Sequence, residues 1–294
     1  ALRQLPVRLL IADYTDSSKA KAMSLAMNAT ADIPYDAVVI MDADNTAGTS
    51  FLSELNPVFQ SGARAVQAHR TAKNTNTDIA VLDAASEEIN NSIFRSGHIA
   101  LGLSSALIGS GMALEACWFR QHIHLLETAG EDKEMEALLL KQRIHIEYLE
   151  HVYVKDEKTQ KKEGIKNQRK RWIAAQFDSL VRALPDFPKE LLRGNIDYCD
   201  KVFQWTLLPR IILIFCTFFF TILVTLVSPY SSIKWWILAF ALFLALFTAI
   251  PGHLLNKQLL RAIFQLPSLL LGIASNLFKL KGVNKKFIHT EHGN

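Results

Sequence analysis

The stretch from Ala37 to Asp44 reads Ala-Val-Val-Ile-Met-Asp-Ala-Asp, an apolar run that ends in two carboxylates separated by one residue. A continuous apolar run of this length predicts a buried strand. Because ligands of an open α/β sheet bind beyond the carboxyl ends of its strands, Asp42 and Asp44 are expected at a binding site. Paired carboxylates supply the hard oxygen ligands that a divalent cation bound to phosphates requires, and a capped loop is the simpler alternative.

Short strands alternate with helices on both sides of this stretch. The apolar run Val7–Ala12 predicts another buried strand, ending at Asp13, and we interpret a chain that opens in mid-sheet as lacking its upstream part. The alternation predicts an α/β fold whose sheet is mostly parallel, with helices on both faces. The other predicted elements are helices at Lys19–Ala29, Phe51–Phe59, Asp78–Phe94 and Glu131–Lys141, and strands at Ala63–Ala68 and His151–Val154.

Composition places the chain between soluble and membrane proteins. It has 294 residues, 50% of them hydrophobic, a net charge of +4 and a mean hydropathy of +0.14. The apolar residues are unevenly distributed, and no carboxylate occurs between Asp200 and Glu291. These values exclude disorder, collagen and a disulfide scaffold. Three isolated cysteines without metal-ligand spacing fit a reducing compartment.

Two apolar segments near the C-terminus predict transmembrane helices. Ile211–Val227 carries no charge over 17 residues, and Ile233–Ile250 carries only one lysine near its start. Two buried helices of a soluble core are the weaker alternative. The linker Ser228–Ser232 is uncharged, whereas Arg210 and Lys257 flank the outer ends of the pair. The positive-inside rule therefore predicts a multi-pass protein of the cytoplasmic (inner) membrane whose N-terminal part faces the cytoplasm.

Amphipathic segments border these spans. The stretch from Trp172 to Trp205 follows a basic region and precedes the first span, which favours helices at the membrane interface over helices that only cover a core. A third apolar run, Ala262–Phe278, contains several polar residues and is followed by a basic tail. We interpret it as an interfacial or re-entrant helix.

Two further motifs carry chemistry. Glu131-Asp132 begins a predicted helix, where carboxylates favour the helix dipole, and where Asp132 could also act as a general base toward an acceptor hydroxyl. The segment Gln168–Trp172 reads Gln-Arg-Lys-Arg-Trp. It is either a solvated basic face or a cationic clamp for a diphosphate leaving group, with an aromatic platform for a sugar.

The order of these motifs resembles one family. Asp13, the Asp42/Asp44 pair, Glu131-Asp132 and Gln168–Trp172, followed by apolar helices, match the D, DxD, (T/G)ED and QxxRW series in order and spacing. This series resembles that of the processive family 2 glycosyltransferases, which include cellulose, chitin, hyaluronan and poly-N-acetylglucosamine synthases. The resemblance covers essentially the whole chain. It also includes the segments Lys21–Leu25, Gly109–Gly111 and Lys285–Thr290.

The resemblance implies a GT-A (Rossmann-like) fold and a set of residue roles. Asp132 would be the catalytic base, and Asp44 would bind Mg²⁺ or Mn²⁺. The residues implied in binding the nucleotide sugar are Asp13, Lys21, Asp42, Asp44, Gln168 and Arg171. The residues implied in binding the acceptor are Gly109, Ser110, Gly111 and Trp172.

The implied organisation has four parts: a cytoplasmic GT-A catalytic domain at 1–172 that lacks the family's first strand, interface helices at 173–205, two transmembrane helices at 206–254, and an interfacial or re-entrant helix with the basic tail at 255–294. The implied activity is inverting transfer from a UDP-sugar to a growing β-linked polysaccharide at a lipid bilayer, with no nucleic-acid partner and with any export subunits left open. A non-processive enzyme that makes a glycolipid on diacylglycerol or ceramide is the alternative, and a non-catalytic membrane scaffold ranks lower.

Overall fold

The structure is a computed structural model that describes residues 7–12, 18–128, 130–160, 162–264 and 266. The predicted site residue Asp13, most of the third apolar run and the basic tail lie outside the described residues.

A single mixed sheet forms the centre of the described chain. Its five strands are β1 (Ala37–Ile40), β2 (Thr46–Ala47), β3 (Ala65–Ala72), β4 (Met112–Glu115) and β5 (Ile146–Asp156). Their order in the sheet is β1-β4-β3-β5-β2, and only β3 and β5 pair in parallel. The prediction of a mostly parallel sheet is therefore wrong. The reason is a short strand that sequence reasoning missed, β4, which runs between β1 and β3 and is antiparallel to both.

Helices cover the sheet and continue beyond it. Short non-α helical segments occur at Ser92–Ser96, Ile123–Leu125, Leu184–Asp186 and Gly252–Leu254. The α-helices of the described residues are α1 (Lys19–Ala29), α2 (Phe51–Gln60), α3 (Asp78–Asn91), α4 (Gly97–Ala100), α5 (Ala116–His122), α6 (Glu131–Lys141), α7 (Lys162–Ala183), α8 (Phe187–Leu192), α9 (Ile196–Thr206), α10 (Arg210–Val227), α11 (Pro229–Thr248) and α12 (Lys257–Ile263).

Two of the predicted helices have the predicted bounds, and their first turns account for where they start. In α1, the Ser18 hydroxyl accepts a hydrogen bond from the Lys21 backbone N–H at 3.2 Å. In α6, three carboxylates in the first turn, including Glu131 and Asp132, face the positive end of the helix dipole. The α/β prediction is confirmed, with a sheet that is mixed.

The predicted strand at Val7–Ala12 is wrong. These residues are irregular, and Leu9 and Ile11 are 76% and 86% exposed. The segment pairs with none of the described strands. An apolar run becomes a strand only where a neighbouring strand accepts and donates its backbone hydrogen bonds, and hydrophobicity alone does not supply that neighbour.

One face of the amphipathic stretch between the sheet and the apolar helices packs into the hydrophobic core. Tyr198, Val202 and Trp205 of α9 are buried in the main hydrophobic cluster together with Trp118 and Leu139. The other face exposes large apolar side chains. These are Phe177, Val181, Leu184, Leu191, Leu192, Ile196 and Phe203.

Among the described residues, α10 and α11 are the two helices that are long and apolar enough to cross a membrane. Both are strongly apolar in composition, and almost none of their side chains is buried. The residues at both ends of this helical hairpin contact α3. Arg210, at the start of α10, bonds Asn90 on α3, and Leu259 of α12, which follows the hairpin, packs with Val81 and Ala84 of α3. Both ends of the hairpin therefore lie beside α3.

Candidate functional site

The acidic loop after β1 is held in shape by an asparagine. The Asn45 side-chain oxygen accepts a hydrogen bond from the Asp42 backbone N–H at 3.1 Å. Its Nδ2 group donates to Asp44 Oδ1 at 3.4 Å and to Asp156 Oδ1 at 3.1 Å. Asp156 is the last residue of β5. The carboxyl ends of β1 and β5 therefore meet at Asn45, and both predicted carboxylates lie at this edge of the sheet.

The Gly109–Gly111 segment forms a tight turn beside that edge. Gly109 and Gly111 have φ values of +80° and +63°, in the left-handed region where a side chain would strain the backbone. Gly111 donates its N–H to Ile40 O at 2.9 Å, and a Cβ on it would lie 3.1 Å from a methyl group of Val154. Both glycines are thus required by conformation, and Gly111 also by close packing. Ser110 between them is fully buried.

The start of α6 lies against the same turn. A Cβ built on Gly109 would be 3.8 Å from Glu131 Oε1 and 3.9 Å from Asp132 Oδ2. The Asp132 carboxylate accepts a hydrogen bond from the Lys133 backbone N–H at 2.9 Å, and its side chain is 20% exposed. The structure therefore brings Asp132 together with Gly109, as the sequence motifs imply.

Lys19 joins the acidic loop to the glycine turn, and sequence reasoning missed it. Its Nζ forms an ion pair with Asp42 and donates a hydrogen bond to Gly109 O at 2.7 Å. The predicted nucleotide contact, Lys21, is an exposed residue two positions further along α1. The sequence places both lysines at the start of one helix, and only the orientation of that helix toward β1 distinguishes them.

Glu131 is the electrostatically unusual residue of the site. Burial raises its pKa to about 7, the charge of Asp132 acts in the same direction, and the Lys19 ammonium opposes both. Its side chain is almost enclosed, with 8% of the residue exposed. A carboxyl group that changes its charge near neutral pH therefore lies next to the predicted base.

The Gln168–Trp172 motif lies on α7, which packs against the start of α6. A Cβ on Gly130 would lie 2.8 Å from the Ala175 methyl group, so the two helices approach closely at this point. Burial lowers the pKa of Arg171, and the charge of Glu131 counteracts it. The buried Gln168 Oε1 atom has no hydrogen-bond partner among the described residues. Arg171 is thus near the acidic residues of α6.

The same motif also reaches toward α3. The Arg169 guanidinium lies 5.0 Å from the Trp172 ring centroid and bonds Asp83 and Ser86 at 3.1 and 3.0 Å. Trp172 is half-buried. Arg169 therefore orients the predicted aromatic platform and attaches α7 to α3, a role that the motif alone does not indicate.

A network of buried charges lies beneath the acidic loop. Arg70 bonds Glu87 at 2.9 Å and Ser110 Oγ at 3.4 Å, and its Nε lies 3.9 Å from Asp156. Burial acts to raise the pKa of Glu87, but the charges of Arg70 and Lys158 outweigh it and hold that pKa well below its usual range. These residues are scattered in sequence, so no local signal identifies the network. It supports both the glycine turn and the end of β5.

The carboxylates of the acidic loop fit a divalent cation that is shared with a substrate. Among the described residues, no group of three or more His, Cys, Asp and Glu side chains could hold a metal by itself. Magnesium-type ions are commonly bound by one or two carboxylates, with water and substrate phosphates completing the coordination. Asp42 and Asp44 satisfy that requirement, because both are partly exposed at the sheet edge.

No curated protein matches the chain in sequence. One family model does, and it spans the region that contains the acidic loop, the glycine turn, α6, α7 and the two apolar helices. Residues 37–248, well over half of the chain, match glycosyl transferase family group 2, and the chain therefore belongs to that family of glycosyltransferases.

Proposed function

We propose that the protein is a membrane-bound inverting glycosyltransferase that transfers a sugar from a UDP-sugar to a growing β-linked polysaccharide. The observation that carries the proposal is the convergence of three distant segments. Asp42 and Gly109 share Lys19, and Gly109 lies against Glu131 and Asp132. Because the chain belongs to a family of glycosyltransferases, we infer that these segments together catalyse sugar transfer.

The donor would bind at the carboxyl end of β1. Asp42 would face the nucleotide, as Asp13 and Lys21 would, and Asp44 would be the protein ligand of Mg²⁺ or Mn²⁺. The metal, when bound, neutralises charge on the diphosphate as it leaves. Asn45 holds both carboxylates in place by its contacts to the Asp42 backbone and the Asp44 side chain. The donor would thus bind a preorganised loop.

Asp132 would accept a proton from the acceptor hydroxyl. The hydroxyl oxygen then forms a bond to the anomeric carbon, while the bond from that carbon to the diphosphate oxygen breaks and its electron pair leaves with UDP. One displacement on the opposite face converts an α-linked donor into a β-linked product. Gly109 supports this role, because its lack of a side chain leaves room beside the Asp132 carboxylate.

Residues of α7 would complete the site on the leaving-group side. Arg171 is partly buried near Glu131, where a guanidinium can pair with a diphosphate more strongly than it could in water. Gln168 presents a buried oxygen with no partner among the described residues. Trp172 would provide a flat apolar surface for the acceptor sugar.

The membrane assignment rests on α10 and α11. Both have the length and composition of membrane spans, and their surfaces expose large apolar side chains. The exposed apolar face of α7 to α9 precedes them directly, as expected for helices at the bilayer interface. Both ends of the hairpin contact α3, so the catalytic part and α12 would lie on one side of the membrane.

Sugar transfer from a panel of UDP-sugars tests the proposal. Membranes containing the protein should transfer radiolabel from one UDP-sugar in a Mn²⁺- or Mg²⁺-dependent manner, and the product should be a long polymer. Asp44→Ala should abolish transfer and metal-dependent UDP binding, whereas Asp32→Ala, an exposed aspartate in the loop before β1, should leave both unchanged. A single-sugar lipid product would favour the glycolipid alternative. Absence of transfer from every UDP-sugar would contradict the proposal.

A further inference from the structure

Lys19 is placed where two other features of the site meet. Its ammonium group pairs with Asp42 Oδ1 and donates to Gly109 O at 2.7 Å, and 24% of its side chain is exposed. The residue that accepts from it, Gly109, also lies against Glu131 and Asp132. The Lys19 ammonium group therefore pairs with the acidic loop and lies near the carboxyl groups at the start of α6.

The position is unfavourable for a lysine in local terms. Lys19 is the first residue of α1, and no acidic residue occurs in the first turn of that helix. A cation at a helix N-terminus is repelled by the helix dipole. The contacts with Asp42 and Gly109 are therefore what hold the ammonium group in this position, and these contacts lie within the site and not along the helix.

A divalent cation on the acidic loop would compete with this lysine. The metal would bind Asp44, and the Lys19 ammonium group is held by the neighbouring Asp42 Oδ1 atom on the same loop. A doubly charged ion beside it would also repel the ammonium group electrostatically. A nucleotide diphosphate has the opposite effect, because it adds negative charge within reach of the long, flexible lysine side chain.

We propose that Lys19 is an exchangeable counter-ion that couples metal binding to donor binding. Without a donor, it pairs with Asp42 and weakens binding of a metal alone. When metal and nucleotide bind together, its ammonium group moves from Asp42 to the donor diphosphate and pairs with it. The inference rests on the proposed function, since it requires a diphosphate donor at the acidic loop. It assigns a donor-binding role to Lys19 in addition to the predicted Lys21.

The expected signature is a change of opposite sign in two affinities. In the full chain in detergent micelles, Lys19→Gln should bind Mn²⁺ alone about 2–5-fold more tightly, because the partly exposed ammonium charge that repels the metal has been removed. At saturating Mn²⁺, the same variant should bind UDP roughly tenfold more weakly, because a charge-assisted contact to the diphosphate has been lost. Electron paramagnetic resonance of free Mn²⁺ and calorimetry of UDP measure the two affinities.

Two controls separate this role from a structural one. Lys141→Gln removes a surface lysine whose Nζ lies 2.5 Å from Asp186 Oδ2. Neither residue belongs to the acidic loop, so this variant should change neither affinity. Lys19→Arg keeps the charge, so it should restore UDP affinity to near the wild-type value if Lys19→Gln binds UDP poorly for electrostatic reasons.

The outcomes also separate this inference from the proposed function. If the wild-type protein binds UDP with Mn²⁺ but both affinities of Lys19→Gln fall together or stay unchanged, the inference is overturned and the proposed function stands. If the wild-type protein does not bind UDP in the presence of metal, the proposed function is overturned and the inference with it.

Discussion

At the scale of single residues, the site contains two adjacent carboxyl groups in different surroundings. Asp132 is partly exposed and hydrogen-bonded to the Lys133 backbone, whereas Glu131 is buried and has a pKa raised to about 7. Different environments assign different roles to neighbouring carboxyl groups. The partly exposed Asp132 is the proposed base, and the buried Glu131 interacts electrostatically with Asp132, Lys19 and Arg171.

Replacement of the proposed base should separate catalysis from binding. Asp132→Asn keeps the size and hydrogen-bonding reach of the side chain but cannot accept a proton at neutral pH. Sugar transfer should fall by about 10²–10⁴-fold, the usual contribution of a general base. UDP affinity, measured on the same preparation, should hardly change. If Asp132 only stabilises the start of α6, asparagine will serve as well and the variant will remain active.

Removal of the Glu131 charge should change how stability depends on pH. The folded-state pKa of Glu131 is raised from 4.5 to about 7, so the folded protein keeps a proton that the unfolded chain releases between these values. Stability therefore decreases as the pH rises from 4.5 to 7. Above pH 7, Glu131→Gln should be more stable than the wild type by on the order of 1–3 kcal/mol.

Thermal unfolding in detergent at pH 5 and pH 8 measures this difference. The wild-type midpoint should fall relative to that of Glu131→Gln at the higher pH, and the two midpoints should approach each other at pH 5. Glu54→Gln, on the surface helix α2, is a matched control and should follow the wild type at both values. An equal difference between Glu131→Gln and wild type at both pH values would contradict the raised pKa.

At the scale of elements, α9 is attached to the catalytic part by two histidine–carboxylate pairs. His98 Nε2 lies 3.1 Å from Asp200, and His145 Nδ1 lies 3.7 Å from Asp197. Each histidine donates a hydrogen bond to its partner carboxylate, and this raises the histidine pKa above 6.5, against the effect of burial. Each pair therefore stabilises the docked helix while its histidine is protonated.

Docking of α9 should weaken as the pH rises. The stabilisation is complete below the unfolded-state pKa of 6.5 and is lost as the pH passes through the raised values in the folded protein. Hydrogen-exchange protection of the α9 amides should decrease roughly 3- to 10-fold between pH 6 and pH 8.5, after correction for intrinsic exchange, because partly exposed pairs contribute modestly.

Variants identify the responsible groups. The double variant His98→Gln with His145→Gln should remove most of this pH dependence, whereas His151→Gln, on an exposed position of β5, should retain it. Equal protection of the wild-type amides at both pH values would show that the pairs do not hold the helix.

At the scale of the whole molecule, one helix, α3, contacts both the candidate site and the ends of the apolar hairpin. α3 receives Arg169 from α7, Arg210 from the start of α10, and the apolar side of α12 after the hairpin. A hairpin that crosses a bilayer and returns to the same helix places its tip on the opposite side. The exposed tip at Ser231 and the returning residue Gln258 therefore report on the topology.

Cysteine labelling of intact cells checks this arrangement. In a chain whose three native cysteines are replaced by serine, Ser231→Cys should react with a membrane-impermeant maleimide added outside the cell. Gln258→Cys should react only after the membrane is opened. Labelling of Gln258→Cys from outside would invert the proposed orientation, and equal labelling of both positions would indicate that the hairpin does not cross the membrane.

The sequence alone determined the features that depend on local patterns. The starts of α1 and α6 follow from their first turns, and the hairpin follows from two apolar runs that together contain a single charged residue. The motif order indicated the glycosyltransferase family, and the family match over residues 37–248 confirms that level of the prediction. The bounds of these helices depend on neighbours within a few residues, and the family on motifs that can be compared along the chain.

Only the tertiary structure decided which of these residues meet. Whether neighbouring strands of the sheet run parallel or antiparallel depends on β4, which inserts between β1 and β3. The sequence of this four-residue strand does not indicate that pairing. Val7–Ala12 is apolar but lacks a partner among the described strands. Lys19, not its neighbour Lys21, meets Asp42, because the orientation of α1 against β1 is set by packing across distant segments and not by the spacing of two lysines.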